Sequence, residues 1–210
     1  MPDYFDSIVV VDDNPVLLNV LREILADYAC SVRIASDGLE ALAEIRNQPP
    51  DILLSDLNMP RMSGFELLSI VRIRYPMIRV IAMSASYSGE IVPRGVAADA
   101  FYEKGASSVA RLLQIVTGLK DETTLRAQRV STPIWIPKAM VDPLGKSEVL
   151  FSCPECLRAH PYFTNESTDL QNRECRYCRC RIQLAIVPSE LEMEERSGIG
   201  TVSGRCLLGQ

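Results

Sequence analysis

Five times between residues 6 and 119 a short apolar run gives way to an amphipathic stretch. The first run, Ser7–Val11, is rich in β-branched residues and stops at Asp12-Asp13, as a buried strand would. Leu17, Leu18, Leu21, Ile24 and Leu25 then recur at helical spacing. Asp13 or Asn14 can cap that helix, and Pro15 fits its first turn. The same reading gives strands at Ser31–Ala35, Asp51–Ser55, Arg79–Met83 and Ala100–Glu103. Helices follow at Gly38–Arg46, Gly64–Arg74, residues 88–97 and Ser107–Leu119. Pro93 and Gly95 disfavour a helix interior. The fourth helix is therefore expected to be locally unstable and to become ordered on phosphorylation.

Five such units in so short a span imply a doubly wound α/β fold, a parallel sheet with helices on both faces. Functional groups in these folds gather at the carboxyl ends of the strands. The chain has 210 residues, 47% hydrophobic and 23% charged, which is enough to bury a core. Its net charge of −5 argues against a protein that coats nucleic acid. The N-terminal residues carry no basic segment, and no apolar run approaches the ~20 residues that span a bilayer. A cytoplasmic protein with no membrane partner is expected.

Carboxylates end the first and third strands. Asp12, Asp13 and Asp56 should therefore converge on one sheet edge, where they repel unless a cation neutralises them. Magnesium suits such a group, because it takes a few carboxylate oxygens and keeps water and phosphate as its other ligands. Ser84, ending the fourth strand, offers a hydroxyl, and Lys104, just past the fifth, an ammonium. Each taken alone has an ordinary explanation as a cap or a surface lysine. Five such groups at successive strand ends point to phosphoryl chemistry.

Four segments carry a family resemblance: Val9-Val10-Val11-Asp12-Asp13-Asn14, Asp56-Leu57-Asn58-Met59-Pro60-Arg61-Met62-Ser63-Gly64, Ala82-Met83-Ser84-Ala85 and Phe101-Tyr102-Glu103-Lys104. They resemble the CheY-like receiver domain of bacterial two-component response regulators. The resemblance implies a flavodoxin-like sheet of order 2-1-3-4-5. It further implies that Asp56 accepts a phosphoryl group from a sensor histidine kinase. Asp12, Asp13, Asp56 and the Asn58 backbone carbonyl would hold Mg2+. Lys104 would pair with the phosphoryl group, Ser84 would hydrogen-bond it, and Phe101 would be the switch aromatic that turns inward when Ser84 moves. Such a chain is a phosphoacceptor that catalyses its own transfer and dephosphorylation, not a metabolic enzyme. Gly105 stands where many receivers have proline. Lys104-Gly105-Ala106-Ser107 is similar to receivers with helix-turn-helix outputs, yet no such output follows here.

Beyond Leu119 the texture changes. Residues 1–119 read as the receiver, 120–147 as a linker, 148–187 as a small β-rich module and 188–210 as a disordered acidic tail. Cys153-Pro-Glu-Cys156 and Cys175-Arg-Tyr-Cys178 are two C-x2-C hooks separated by eighteen residues, a spacing suited to Zn2+ held by four thiolates. The region resembles a zinc ribbon, although Leu157 and Arg179 stand where ribbon knuckles commonly have glycine. A unit this small needs the metal for most of its stability. Cys180 is open as a rival to Cys178, and His160 is left outside the ligand set. Disulfides or a redox pair explain the matched hooks less well.

Arg173, Arg176, Arg179 and Arg181 form a basic stripe. From residue 131 on, nine basic side chains meet ten acidic ones, so an unidentified downstream protein is favoured as partner over DNA or RNA. Trp135 reads as packing on the receiver rather than as a docking anchor.

Overall fold

The computed structural model describes residues 5–89, 91–93, 95–119, 133–137, 148–163 and 170–187. The first half alternates β1 (Phe5–Val11), α1 (Pro15–Leu25), β2 (Ala29–Ala35), α2 (Gly38–Asn47), β3 (Ile52–Asp56), α3 (Gly64–Arg74), β4 (Arg79–Ser84), β5 (Ala100–Glu103) and α4 (Val109–Gly118). The five strands form one sheet of order β2-β1-β3-β4-β5, parallel throughout. This is the flavodoxin-like receiver order expected from the resemblance.

Both faces of the sheet are covered, and the two-residue period of the strands separates them. Ile8, Val10, Ile52, Leu54, Ile81 and Met83 pack with Leu18, Leu21 and Leu25 of α1 and with Leu112 and Val116 of α4. Val9, Val11, Leu53, Val80 and Ala82 point the other way, into a cluster with α2 and α3. Asn14 caps α1 through its Oδ1, which accepts from Val16 N and Leu17 N. That settles the choice between Asn14 and Asp13.

The helix expected over 88–97 is absent among the described residues of that span. Gly95 has a φ of +85°, a left-handed geometry no helix interior accepts. A Cβ on Gly95 would sit 2.9 Å from the Trp135 ring. The space beside this segment is thus filled from elsewhere in the chain, so no helix is needed to cover it.

The filler is the C-terminal half. β6 (Ile134–Pro137), β9 (Gln171–Glu174) and β10 (Arg181–Val187) form a sheet of order β6-β10-β9, and β7 (Glu148–Ser152) pairs antiparallel with β8 (Ala159–Phe163). The segment expected to be only a connector therefore contributes a strand, with β6 running parallel to β10. Ile134, Ile136, Phe151, Ile182, Leu184, Ile186 and Val187 belong to the same buried cluster as α3. The module is not an isolated unit resting on metal alone. Trp135 packs on the receiver as anticipated, and its backbone N–H donates to Ser69 Oγ at 3.2 Å.

Helix α3 explains why. Residues 64–71 are buried without interruption, Glu66 and Ser69 included. A helix apolar all round has to be sandwiched, here between the central sheet and the module. The remaining expectations beyond Leu119 lie outside the described residues: the rest of the linker and the tail from Pro188. No helix among the described residues is long and apolar enough to cross a membrane.

Candidate functional site

Four of the five strand ends of the central sheet each deliver a group to a common rim. Asp12 follows β1, Asp56 closes β3, Ser84 closes β4, and Lys104 follows β5, its backbone N–H donating to Ser84 O at 2.8 Å. Gly64 makes the close turn after β3 possible, since a methyl there would collide with the Asp56 carbonyl oxygen.

Asp12, Asp13 and Asp56 each offer a carboxylate oxygen, and these lie within 4.8 Å of one another. Asp12 and Asp56 are buried, while Asp13 is exposed. Lys104 Nζ lies 3.0 Å from Asp12 Oδ2 and 2.8 Å from Asp56 Oδ1. The Lys104 ammonium is the partner of that buried Asp56 oxygen. Burial pushes the Asp56 carboxyl above its usual range, against the pull of Lys104 and aided by Asp12. Burial also works against the charge on Lys104, yet its bonds to Asp56 and Asp12 hold the ammonium more firmly than usual. Three carboxylates face a single ammonium. A divalent cation would match that deficit.

Ser84 is fully buried. Its Oγ accepts from Ser86 N at 3.1 Å and from Asn58 Nδ2 at 3.5 Å. Phe101 is already inside, at 2% exposure, in the cluster shared with the module. An inward turn is not required of it in this conformation.

The cysteine hooks form two matching knuckles. Cys153 N donates to Arg158 O and Leu157 N to Cys153 O. In the second hook Cys175 N donates to Cys180 O and Arg179 N to Cys175 O. Leu157 at φ +58° and Arg179 at φ +63° adopt the left-handed turn that glycine commonly supplies, at about 1 kcal/mol or more each. Cys153, Cys156, Cys175 and Cys178 bring four sulfurs within 4.8 Å of one another. The Cys153–Cys178 and Cys156–Cys175 sulfur separations are 3.7 and 3.6 Å. Tetrahedral zinc with bonds of about 2.3 Å has edges of about 3.8 Å, so the donor set fits the metal. Burial opposes ionisation of Cys175, but N–H donors from Cys178 and Tyr177 pull its thiol down to about 5.

His160 is buried, stacks on Phe151 with ring centroids 5.3 Å apart, and places Nε2 3.3 Å from Cys175 Sγ. It stands outside the four-sulfur group and against it. Cys180 Sγ lies 3.3 Å from Cys153 Sγ. Glu66 escaped the sequence reading altogether. Its Oε1 accepts from Ser152 N at 2.6 Å, joining α3 to the residue before the first hook. Burial pushes its carboxyl up to about 7, only partly offset by Ser152. The available signal was a lone acid in the run Phe65–Val71, where Ser69 is the one other polar residue.

Residues 8–103 match the family described as the response regulator receiver domain. The receiver domain of the Francisella response regulator 1452 superposes with a TM-score of 0.51 at 27% identity, over 57% of this chain and 99% of that one. The DNA-binding transcriptional regulator NtrC of Salmonella typhimurium is 41% identical over 76 residues, 36% of this chain and 16% of that protein. A protein-glutamate methylesterase/protein-glutamine glutaminase of Vibrio cholerae is 25% identical over 152 residues, 69% of this chain and 42% of the other. The chain thus spans less than half the length of these curated relatives.

Proposed function

Residues 8–103 form a response regulator receiver domain, and from that premise we propose a two-component response regulator, phosphorylated on Asp56 by a sensor histidine kinase, that signals through its docked zinc-ribbon module. Residues 1–119 are the receiver, 148–187 the module and 120–147 the join between them, with β6 inside that join. The working compartment is the cytoplasm.

The observation that carries this reading is Asp56 itself, buried at a strand end, ion-paired to Lys104 and grouped with the carboxylates of Asp12 and Asp13. A carboxylate so placed can attack the phosphorus of a phosphohistidine. A P–O bond to Asp56 forms as the P–N bond breaks, and the kinase imidazole leaves with the electron pair. Lys104 neutralises a phosphoryl oxygen and Ser84 donates to another. Asp12, Asp13, Asp56 and the Asn58 carbonyl would hold Mg2+, which when bound offsets charge on the transferring group. Cys153, Cys156, Cys175 and Cys178 would hold Zn2+, which ties the two knuckles together.

Ser84 accepts today from Ser86 and Asn58. Drawing its hydroxyl toward a phosphoryl group pulls on the segment that opens at Ser86 and reaches Gly95, against Trp135 of β6. The module therefore receives the signal through packing. Protein contact is favoured over nucleic acid as output, because nine basic side chains from residue 131 on meet ten acidic ones and Arg179 of the stripe is paired with Glu174. A serine–histidine hydrolase is disfavoured, since the chain's single histidine is engaged with Cys175.

Acetyl phosphate with magnesium should label the wild type and leave Asp56→Asn unlabelled. Equal labelling of both removes Asp56 as acceptor.

A further inference from the structure

The two knuckles are built alike, and the likeness isolates one residue. In each, the first cysteine's N–H donates to the carbonyl five residues on: Arg158 in the first knuckle at 3.0 Å, Cys180 in the second at 2.9 Å. The first knuckle closes with an arginine at that position, whose exposed side chain lies over the Tyr177 ring at 4.9 Å. The turn itself thus asks for no sulfur there. Yet Cys180 is half-buried and its Sγ lies 3.3 Å from Cys153 Sγ, closer than the 3.7 Å between Cys153 and Cys178. Cys178, by contrast, is exposed. Five sulfurs crowd a site whose metal takes four.

We propose that Cys180 is a reserve ligand of the sulfur site and takes over the vertex held by Cys178. The proposal rests on the zinc reading above. In the exchange a metal–sulfur bond to Cys178 breaks, one to Cys180 forms, and the proton leaving the Cys180 thiol passes to Cys178. Metal charge and ligand count stay the same. The site then has two equivalent closures, one with its exposed thiol bound and one with that thiol free between Tyr177 and Arg179.

Cobalt(II) replaces zinc as the probe, because sulfur-to-cobalt charge-transfer absorption grows with the number of thiolates bound. In the full-length chain, Cys178→Ser and Cys180→Ser should each keep the four-thiolate intensity of the wild type. The double variant should fall by about a quarter, to the three-thiolate level set by Cys156→Ser. A Cys178→Ser spectrum already at three thiolates overturns the proposal and leaves the zinc reading intact. A wild type that binds no cobalt overturns both. Should Cys178→Ser fail to fold, limited alkylation of the zinc-loaded wild type decides instead. Label on Cys178 while zinc stays bound supports exchange; label on Cys180 with Cys178 protected overturns it.

Discussion

The two faces of the central sheet are covered differently. On one face α1 and α4 lie as ordinary amphipathic helices, with Leu18, Leu21 and Leu25 inward and Val16 exposed at 70%. On the other, α3 is buried over eight consecutive residues and a second layer of strands lies above it. One face ends at water. The other continues into the sulfur-bearing module. The contrast teaches that the C-terminal half is part of the receiver's own core, placed where the expected fourth helix is missing. What distinguishes the faces is where their polar groups go: outward from α1, but into Ser152 and Trp135 from α3.

Truncation after Leu119 is the severest way to break this comparison. It returns the outer side of α3 and residues beside Gly95 to water, and each large apolar side chain re-exposed is worth about 1.5–3 kcal/mol. Urea unfolding should show the receiver destabilised by more than about 5 kcal/mol. A truncated receiver with the midpoint of the full chain would make the second layer an ornament.

Glu66 sharpens the contrast through pH. Its carboxyl titrates near 4.5 when unfolded and about 7 when folded, so between those values the native state holds the extra proton. Stability from this group is complete below the unfolded value, declines as pH rises toward 7 and stays low above it. The loss amounts to roughly 3 kcal/mol. Glu66→Gln keeps the acceptor for Ser152 N and should abolish the slope, unfolding later than the wild type at pH 8. A wild-type profile already flat between pH 5 and 8 would show the buried acid to be well accommodated as an anion.

Val16→Ala, on the solvent side of α1, is the smallest effect, within about 0.5 kcal/mol. A change several times larger in thermal melts would show that this face too has a hidden cover.

The receiver was legible because its signals are local. Strand runs, the cap at the start of α1 and carboxylates at strand ends all sit within a few residues of the features they specify. Strand order followed from the resemblance, and the four hook cysteines from their spacing. The joint was not legible. Ser152 lies 86 residues from Glu66 and Trp135 lies 66 from Ser69, and no periodicity spans such distances. Gly64–Arg74 was legible as a helix, but its cover on both sides was not. Pro93 and Gly95 were read as weakening a helix. Gly95 is better understood as the flat spot on which an indole ring rests.

That ring is the chain's only tryptophan. Near-ultraviolet emission from this protein therefore comes chiefly from one indole, lodged where its two halves meet. Any event that slides one half over the other would register as a change in colour or intensity, with no dye attached.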